Sequence, residues 1–247
     1  FLMDVSQKKI IIADVDETIC ETCQQITPEM AKQISSMITK GYTWAFISGT
    51  EPHYLKEMIS AKLTEPHFLL PTTGTICLDA KNNLFKEEYS YYLTPREKKE
   101  AIDAFEELVT KYHIKTLTTK EDQIQNRGTQ ITLSAIGRNA PTNFKKIYDP
   151  DATKRKEWIK FLKTILDENK YEITYAGTTS IDVTRKGLDK AWGIKKFAQH
   201  YNIPLNQILF FGDKTHPGGN DYPATKIVDF ITVKNPEDTL NKLKEYF

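Results

Sequence analysis

Residues 10–18, IIIADVDET, contain both the clearest strand signal and the first acidic pair of the chain. Ile10 to Ala13 form an apolar run of strand length, typical of a strand covered by helices on both faces. Asp14 and Asp16 follow at its carboxyl end, where open α/β sheets place their ligands. One carboxylate could act as a nucleophile while the other transfers a proton, with Mg²⁺ offsetting their repulsion. A solvated acidic turn is the alternative interpretation.

The segments around this strand alternate between helix and strand, which implies a parallel sheet joined by right-handed crossovers. The alternation returns from Leu188 to a closing helix that begins at Pro236. Between the two halves, amphipathic helices and segments of alternating polarity indicate an α+β insert. We therefore predict an α/β protein whose parallel-sheet core consists of residues 1–87 and 186–247. Residues 88–185 would form the inserted α+β domain, acting as a lid.

The composition excludes a partner chosen by bulk charge. The chain has 34 Lys and Arg residues against 33 Asp and Glu, a net charge of +1, so we expect no nucleic-acid partner. No apolar run reaches the length of a membrane span, and we expect neither a membrane association nor a signal peptide. Three cysteines, Cys20, Cys23 and Cys77, suit a reducing compartment, which predicts a cytoplasmic protein. Cys20 and Cys23 lack a second pair for zinc, and we interpret them as ordinary thiols, with redox sensing as the alternative.

Two shorter motifs also lie where the sheet should present its carboxyl edge. Ser48-Gly49-Thr50 follows the second strand and is expected to open a helix. The Ser48 hydroxyl and the nearby backbone N–H groups could hold a phosphoryl oxygen, although a simple helix cap is the alternative. Lys190 lies in the first turn of a predicted helix, where the helix dipole disfavours a cation. A functional role would explain that lysine, and a solvated side chain is the alternative.

The segment FFGDKTHPGGND, residues 210–221, is the most informative motif. An apolar strand delivers Asp213 to the same edge of the sheet as Asp14. The paired glycines allow a tight turn that returns Asn220 and Asp221 to that edge. A turn without a function would account for the glycines but not for several acidic residues that converge on one strand end.

These motifs together resemble the haloacid dehalogenase superfamily of phosphoryl-transfer enzymes. Over the whole chain, the resemblance is to the eukaryotic-type phosphomannomutase branch and its bacterial relatives, which insert an α+β cap into a Rossmann-like core. The resemblance implies that Asp14 is the nucleophile that forms a phosphoaspartate and that Asp16 is the general acid/base. It also implies that the phosphoryl group is bound by Ser48, Gly49 and Lys190. The implied Mg²⁺ ligands are Asp14, the Asp16 carbonyl, Asp213 and Asp221.

The insert carries a second match to this family, whose cap binds the non-reacting phosphate. Arg127 in NRG and Arg138 in AIGR stand at the family's arginine positions, and guanidinium groups suit phosphate geometry. Ser180 and Asp182 reproduce the family's Ser-x-Asp pair. Lys145, seven residues after Arg138, stands where the family has a third arginine. The positive charge is therefore kept, but the forked donor geometry of a guanidinium group is lost.

Two departures in the core leave the reaction open. Glu17 stands where the family usually has glycine, and residues 20–25 lack the basic residue expected there. The leading hypothesis is a phosphomannomutase-like enzyme that interconverts mannose 6-phosphate and mannose 1-phosphate, with a hexose 1,6-bisphosphate activator. A sugar-phosphate phosphatase and a non-catalytic sugar-phosphate-binding module are the alternatives. The resemblance also implies a homodimer through the cap.

Overall fold

The computed structural model describes residues 3–247, apart from the side chain of Ala176. The chain divides into two compact units: the described residues up to Ser90 together with Leu188–Phe247, and Tyr91–Gly187. The sequence analysis placed these boundaries after residues 87 and 185. The first difference arises because strand pairing continues to Ser90, which lies opposite Ile76. The second arises because the Lys186 N–H donates to a carbonyl of the second unit.

The helices and strands follow one another in this order: β1 (Ile10–Asp14), α1 (Pro28–Thr39), β2 (Thr43–Ile47), α2 (Pro52–Leu55) with a π-helical turn (Lys56–Ser60), β3 (His67–Leu70), a tight turn (Pro71–Gly74), β4 (Ile76–Lys81), β5 (Leu84–Ser90), α3 (Pro95–Lys111), α4 (Lys120–Gln123), β6 (Ile124–Asn126), β7 (Gln130–Ser134), α5 (Thr142–Tyr148), α6 (Thr153–Ile165), β8 (Tyr171–Ala176), β9 (Ser180–Arg185), α7 (Lys190–His200), a 3-10 turn (Leu205–Gln207), β10 (Ile208–Gly212), a second 3-10 turn (Ala224–Lys226), β11 (Asp229–Thr232) and α8 (Pro236–Tyr246). Within the described residues, no helix has both the length and the apolar character needed to cross a membrane.

The first unit is built on a seven-stranded sheet of order β11-β10-β1-β2-β3-β4-β5. The pairs from β11 to β3 are parallel, and β4 and β5 add an antiparallel hairpin at one edge. All five residues of β1 are buried, as expected for a central strand covered on both faces. The carboxyl ends of β1, β2 and β10 therefore lie side by side. This arrangement confirms the predicted α/β core.

The second unit contains a four-stranded antiparallel sheet of order β6-β7-β9-β8. Helix α3 begins at a capping box, in which the Thr94 hydroxyl accepts from the Glu97 N–H and the Glu97 carboxylate accepts from the Thr94 N–H. The buried faces of α3 and α6 contribute Phe105 and Trp158 to one apolar cluster with the sheet. This is the α+β unit that the alternation of the sequence predicts.

A buried ion pair stabilises one end of this second sheet. The Arg155 guanidinium donates from Nε to Asp149 Oδ2 at 2.8 Å, and both side chains are buried. The guanidinium also donates to the main-chain carbonyls of Asp149 and Gly177 at 2.8 Å each and to that of Ser180 at 3.5 Å. Arg155 therefore attaches α6 to the turn that joins β8 to β9.

Candidate active site

A buried lysine joins two aspartates at the carboxyl edge of the core sheet. Lys190 Nζ lies 2.5 Å from Asp14 Oδ1 and 2.5 Å from Asp221 Oδ1. Asp14 is the last residue of β1, while Lys190 is the first residue of α7. The Asp189 side chain caps α7 by accepting from the Trp192 N–H at 2.8 Å. The cap fixes the start of the helix and, with it, the position of the Lys190 ammonium.

Burial and mutual proximity perturb the ionisation of these groups. Burial raises the pKa of Asp14 to about 7, with Asp221 adding to the rise and Lys190 opposing it. Burial alone would lower the pKa of Lys190, but the two carboxylates raise it above its usual value. Lys190 is therefore held as a cation. When both carboxylates are ionised, one lysine faces two negative charges, and a further cation would offset the excess.

Asp213 completes a group that could provide this cation with ligands. Carboxylate oxygens of Asp14, Asp213 and Asp221 all lie within 4.8 Å of one another. Asp213 Oδ1 is buried and has no hydrogen-bond partner among the described residues, while Lys214 Nζ lies 2.9 Å from its other oxygen. An all-oxygen donor set with an unsatisfied carboxylate oxygen fits Mg²⁺. The Asp16 carboxylate is not part of this group.

Two glycines allow the loop after β10 to bring Asp221 into the network. A Cβ at Gly212 would lie 2.6 Å from Asp221 Oδ2, and a Cβ at Gly219 would overlap the carbonyl of Lys214. In the space thus left, Asp221 is fully buried and its Oδ2 accepts from the Lys214 N–H at 3.0 Å. The glycines of the FGDKTHPGGND segment are therefore required by close packing at both positions.

The main chain of the loop after β1 holds the side chain of Asp16. Asp16 Oδ1 accepts from the Cys23 N–H at 2.9 Å. Glu17 adopts a left-handed conformation, with φ of 60°, a region that glycine enters more readily than other residues. Its carboxylate accepts from the Thr22 N–H at 3.0 Å and from the Thr22 hydroxyl at 2.6 Å, and these bonds lower the pKa of Glu17. Glu17 thus closes the loop that presents Asp16.

Ser48 and Gly49 lie at the carboxyl end of β2, but they do not open a helix. The prediction was wrong there, because α2 begins at Pro52 after Glu51. Instead, the Ser48 hydroxyl accepts from the Thr50 N–H at 3.1 Å and closes a short turn. Ser48 is buried.

The turn between β3 and β4 supports both this segment and the start of α7. Thr72 and Thr73 have φ of 45° and 62°, unusual for β-branched residues. The Thr73 N–H donates to the Ser48 carbonyl at 2.8 Å, which ties the turn to the end of β2. A Cβ at Gly193 would lie 2.5 Å from the Thr73 carbonyl oxygen and 3.2 Å from Gly74 Cα. Backbone contact therefore seats α7 against the turn.

A polar cluster in the second unit gathers several of the predicted phosphate-binding residues. Gln125 Oε1 accepts from Arg127 Nη2 at 2.9 Å and Nε at 3.3 Å, and from Arg138 Nη1 at 3.5 Å. Gln125 Nε2 donates to Ser134 Oγ at 3.0 Å, and that hydroxyl lies 3.3 Å from Ser180 Oγ. The structure thus brings Arg127, Arg138 and Ser180 together around Gln125. The sequence analysis missed Gln125, although it lies on β6 only two residues before Arg127.

The remaining two predicted residues of the cap occupy different settings. The Asp182 carboxylate accepts from the Thr132 hydroxyl at 2.6 Å, and burial raises its pKa while Arg127 opposes the rise. Lys145 Nζ donates to the main-chain carbonyl of Arg138. Asp182 therefore faces one arginine of the cluster, whereas the ammonium of Lys145 contacts the backbone beside it.

The α/β core with its acidic, lysine-bridged sheet edge is that of a phosphoryl-transfer class of enzyme. A family profile described as haloacid dehalogenase-like hydrolase matches residues 11–242, so the chain belongs to that family and is an enzyme of the haloacid dehalogenase superfamily. The resemblance found in the sequence is confirmed.

Curated relatives and solved structures agree with this assignment. The chain is 26% identical over 245 residues to a phosphomannomutase of Drosophila melanogaster, covering 96% of this chain and 94% of the relative. It is 27% identical over 253 residues to phosphomannomutase 1 of Dictyostelium discoideum, covering 99% of each.

Among solved structures, a haloacid dehalogenase-like hydrolase from Bacteroides thetaiotaomicron has a TM-score of 0.69 at 14% identity, covering 97% of this chain and all (100%) of that chain. ATP-bound Plasmodium falciparum IMP-nucleotidase has a TM-score of 0.71 at 15% identity, covering 98% of this chain and 62% of that chain. At these identities, the structural likeness concerns the fold alone.

Proposed function

We propose that the protein is a Mg²⁺-dependent phosphomannomutase-like enzyme that works through a phosphoaspartate on Asp14. The observation that carries the proposal is the buried network in which Lys190 joins Asp14 and Asp221 at the carboxyl edge of the sheet. A site with excess buried carboxylate and one fixed cation suits the transfer of a phosphoryl group, whose charge must be neutralised. Full-length similarity to phosphomannomutases supports a hexose phosphate as the substrate.

In the proposed reaction, a carboxylate oxygen of Asp14 attacks the phosphorus of a hexose 1,6-bisphosphate. The bond from phosphorus to the sugar oxygen breaks, and Asp16 donates a proton to that oxygen. When a hexose monophosphate binds, Asp16 removes the proton of its free hydroxyl, and the oxygen takes the phosphoryl group from Asp14. Lys190 and Ser48 hold the transferring group, while Arg127, Arg138 and Ser180 hold the other phosphate. Bound by Asp14, Asp213 and the Asp16 carbonyl, with Asp221 in support, Mg²⁺ supplies charge neutralisation.

A sugar-phosphate phosphatase is the second candidate, and the placement of Lys145 favours it. The ammonium that replaces the family's third arginine is bound to the Arg138 carbonyl. A weaker hold on the non-reacting phosphate would shorten the stay of the sugar and let water attack the phosphoaspartate. In that case inorganic phosphate is released and the sugar is not rephosphorylated.

One assay separates the two reactions. The protein is incubated with Mg²⁺, mannose 1-phosphate and a catalytic amount of glucose 1,6-bisphosphate, and mannose 6-phosphate and inorganic phosphate are measured together. Conversion without phosphate release supports the mutase, whereas dominant phosphate release supports the phosphatase. A protein that binds the sugar phosphate but produces neither would be a binding module.

Asp14→Asn tests the nucleophile. We expect a loss of turnover of about a thousandfold or more, because the amide cannot form the phosphoaspartate. Asp79→Asn, on β4 of the same sheet, is the matched control and should keep wild-type turnover. Circular dichroism and the melting temperature establish that both variants are folded, and an active Asp14→Asn protein would reject the mechanism.

A further inference from the structure

Gln125 occupies the centre of the cap cluster and contacts both of its guanidinium groups. It lies on β6, and its side-chain carbonyl accepts from Arg127 at 2.9 and 3.3 Å and from Arg138 at 3.5 Å. A single oxygen therefore draws two like charges toward one point. Without an acceptor between them, two neighbouring guanidinium groups repel each other.

The orientation of the Gln125 amide is fixed by its other end. Nε2 donates to the Asp122 carbonyl at 2.9 Å and to Ser134 Oγ at 3.0 Å. A main-chain carbonyl can only accept, so the amide nitrogen must face Asp122 and the oxygen must face the arginines. The side chain thus acts as a rigid bridge from the backbone to the guanidinium pair.

The Gln125 side chain is neutral, so it leaves the positive charge of the two guanidinium groups available to a phosphate. A carboxylate at the same place would accept the same bonds but would also cancel cationic charge that a phosphate needs. Asp182 already places one carboxylate close to Arg127. A carboxylate at position 125 would further reduce the positive charge of the two guanidinium groups and weaken their attraction for an anion.

We propose that Gln125 is a positioning residue, which orders Arg127 and Arg138 into one phosphate-binding unit and preserves their charge for the non-reacting phosphate. The inference rests on the proposed function for the identity of the substrate. Its physical content, a phosphate site dependent on a neutral residue at position 125, is independent of the reaction.

Inorganic phosphate is the probe for this site, titrated calorimetrically in the presence of EDTA. An Arg127→Ala/Arg138→Ala double variant defines the binding that arises elsewhere in the molecule. Relative to that baseline, we expect Gln125→Glu to weaken phosphate binding about tenfold or more. The control is Asn126→Asp, which adds the same charge one residue away on an exposed side chain and keeps the acceptor that binds the Gly128 N–H. It should stay within about twofold of wild type.

A second variant and a kinetic readout complete the test. Gln125→Leu lacks the acceptor but adds no charge, and we expect a loss intermediate between wild type and Gln125→Glu. With mannose 1-phosphate as substrate, Gln125→Glu should raise KM by a larger factor than it lowers kcat, which a general loss of stability would not do.

Three outcomes would overturn the proposal. In the first, Gln125→Glu and Gln125→Leu bind phosphate with the affinity of wild type. In the second, Gln125→Glu and Asn126→Asp change the affinity equally. In the third, wild type and the double arginine variant bind phosphate equally well. If wild type shows the cluster-dependent phosphate binding but transfers no phosphoryl group from hexose phosphates, the proposed function fails and this inference stands.

Discussion

The core and the cap each bury a cation against carboxylate, but the two networks differ in charge balance. In the core, Lys190 faces both Asp14 and Asp221. In the cap, Arg155 pairs with Asp149 and also donates to main-chain carbonyls. The cap network is thus neutral and satisfied by the protein itself.

This difference separates a site from a structural support. A buried network with excess negative charge gains from an additional cation, so it marks the place where we propose that the protein binds one. A balanced network has nothing to gain from a ligand and serves to connect elements of the fold. Three substitutions test the distinction, with expected effects that decrease in the order given.

Lys190→Met should have the largest effect on stability. It leaves Asp14 and Asp221 buried without their cation, and we expect the free energy of unfolding to fall by about 4–5 kcal/mol. Urea denaturation measures the change, and Lys195→Met on an exposed position of α7 is the control. Because Mg²⁺ replaces part of the missing charge, added Mg²⁺ should restore part of the stability. If the free energy of unfolding of Lys190→Met lay within about 1 kcal/mol of the wild-type value, the charge imbalance would be contradicted.

Arg155→Met should have a somewhat smaller effect, about 3 kcal/mol, because only one carboxylate loses its partner. Unlike the core variant, it should not respond to Mg²⁺ in the same denaturation experiment. Pairing it with Asp149→Asn should recover part of the loss, because the uncompensated charge is removed. Rescue of Arg155→Met by Mg²⁺ would show that the cap network also holds a cation site.

The ion pair between Glu97 and Arg185 lies nearer the surface and should contribute least. Its Nη2–Oε2 distance is 2.7 Å, and bonding to Arg185 lowers the pKa of Glu97 from 4.5 to about 2. Because the folded pKa is depressed, the stabilisation is present above pH 4.5 and is lost as the pH falls toward 2. Solvent screening of the partly exposed Arg185 limits it to about 1 kcal/mol.

Glu97→Gln keeps the capping box but removes this charge. Between about pH 5 and pH 2.5, where Glu97 titrates, the free energy of unfolding of the variant should therefore change less than that of wild type. Unfolding free energies at several pH values provide the measurement. Glu107→Gln, on an exposed position of the same helix, is the control. Parallel pH curves for wild type and Glu97→Gln would mean that the pair contributes nothing.

The sequence predicted the core through its apolar runs and the acids that follow them. Asp14 ends β1 and Asp213 directly follows β10, and because these strands adjoin in the sheet, strand order alone brings the two residues together. The insert was predicted only in outline, because its short helices α4 and α5 lack clear periodicity. Gln125 could not be recognised, since its role depends on which way its amide points. The left-handed turn at Thr72 and Thr73 opposes their local preference and is imposed by tertiary packing.

The position of β1 within the sheet constrains the order in which the chain can fold during translation. β1 lies between β2 and β10, yet β10 begins only at Ile208. Until that segment is synthesised, one side of β1 is an unpaired, largely apolar edge, the kind of surface that invites aggregation or chaperone binding. The same late pairing brings Asp213 to Asp14, so the nascent chain assembles the proposed metal ligands and covers the open edge of β1 in one step.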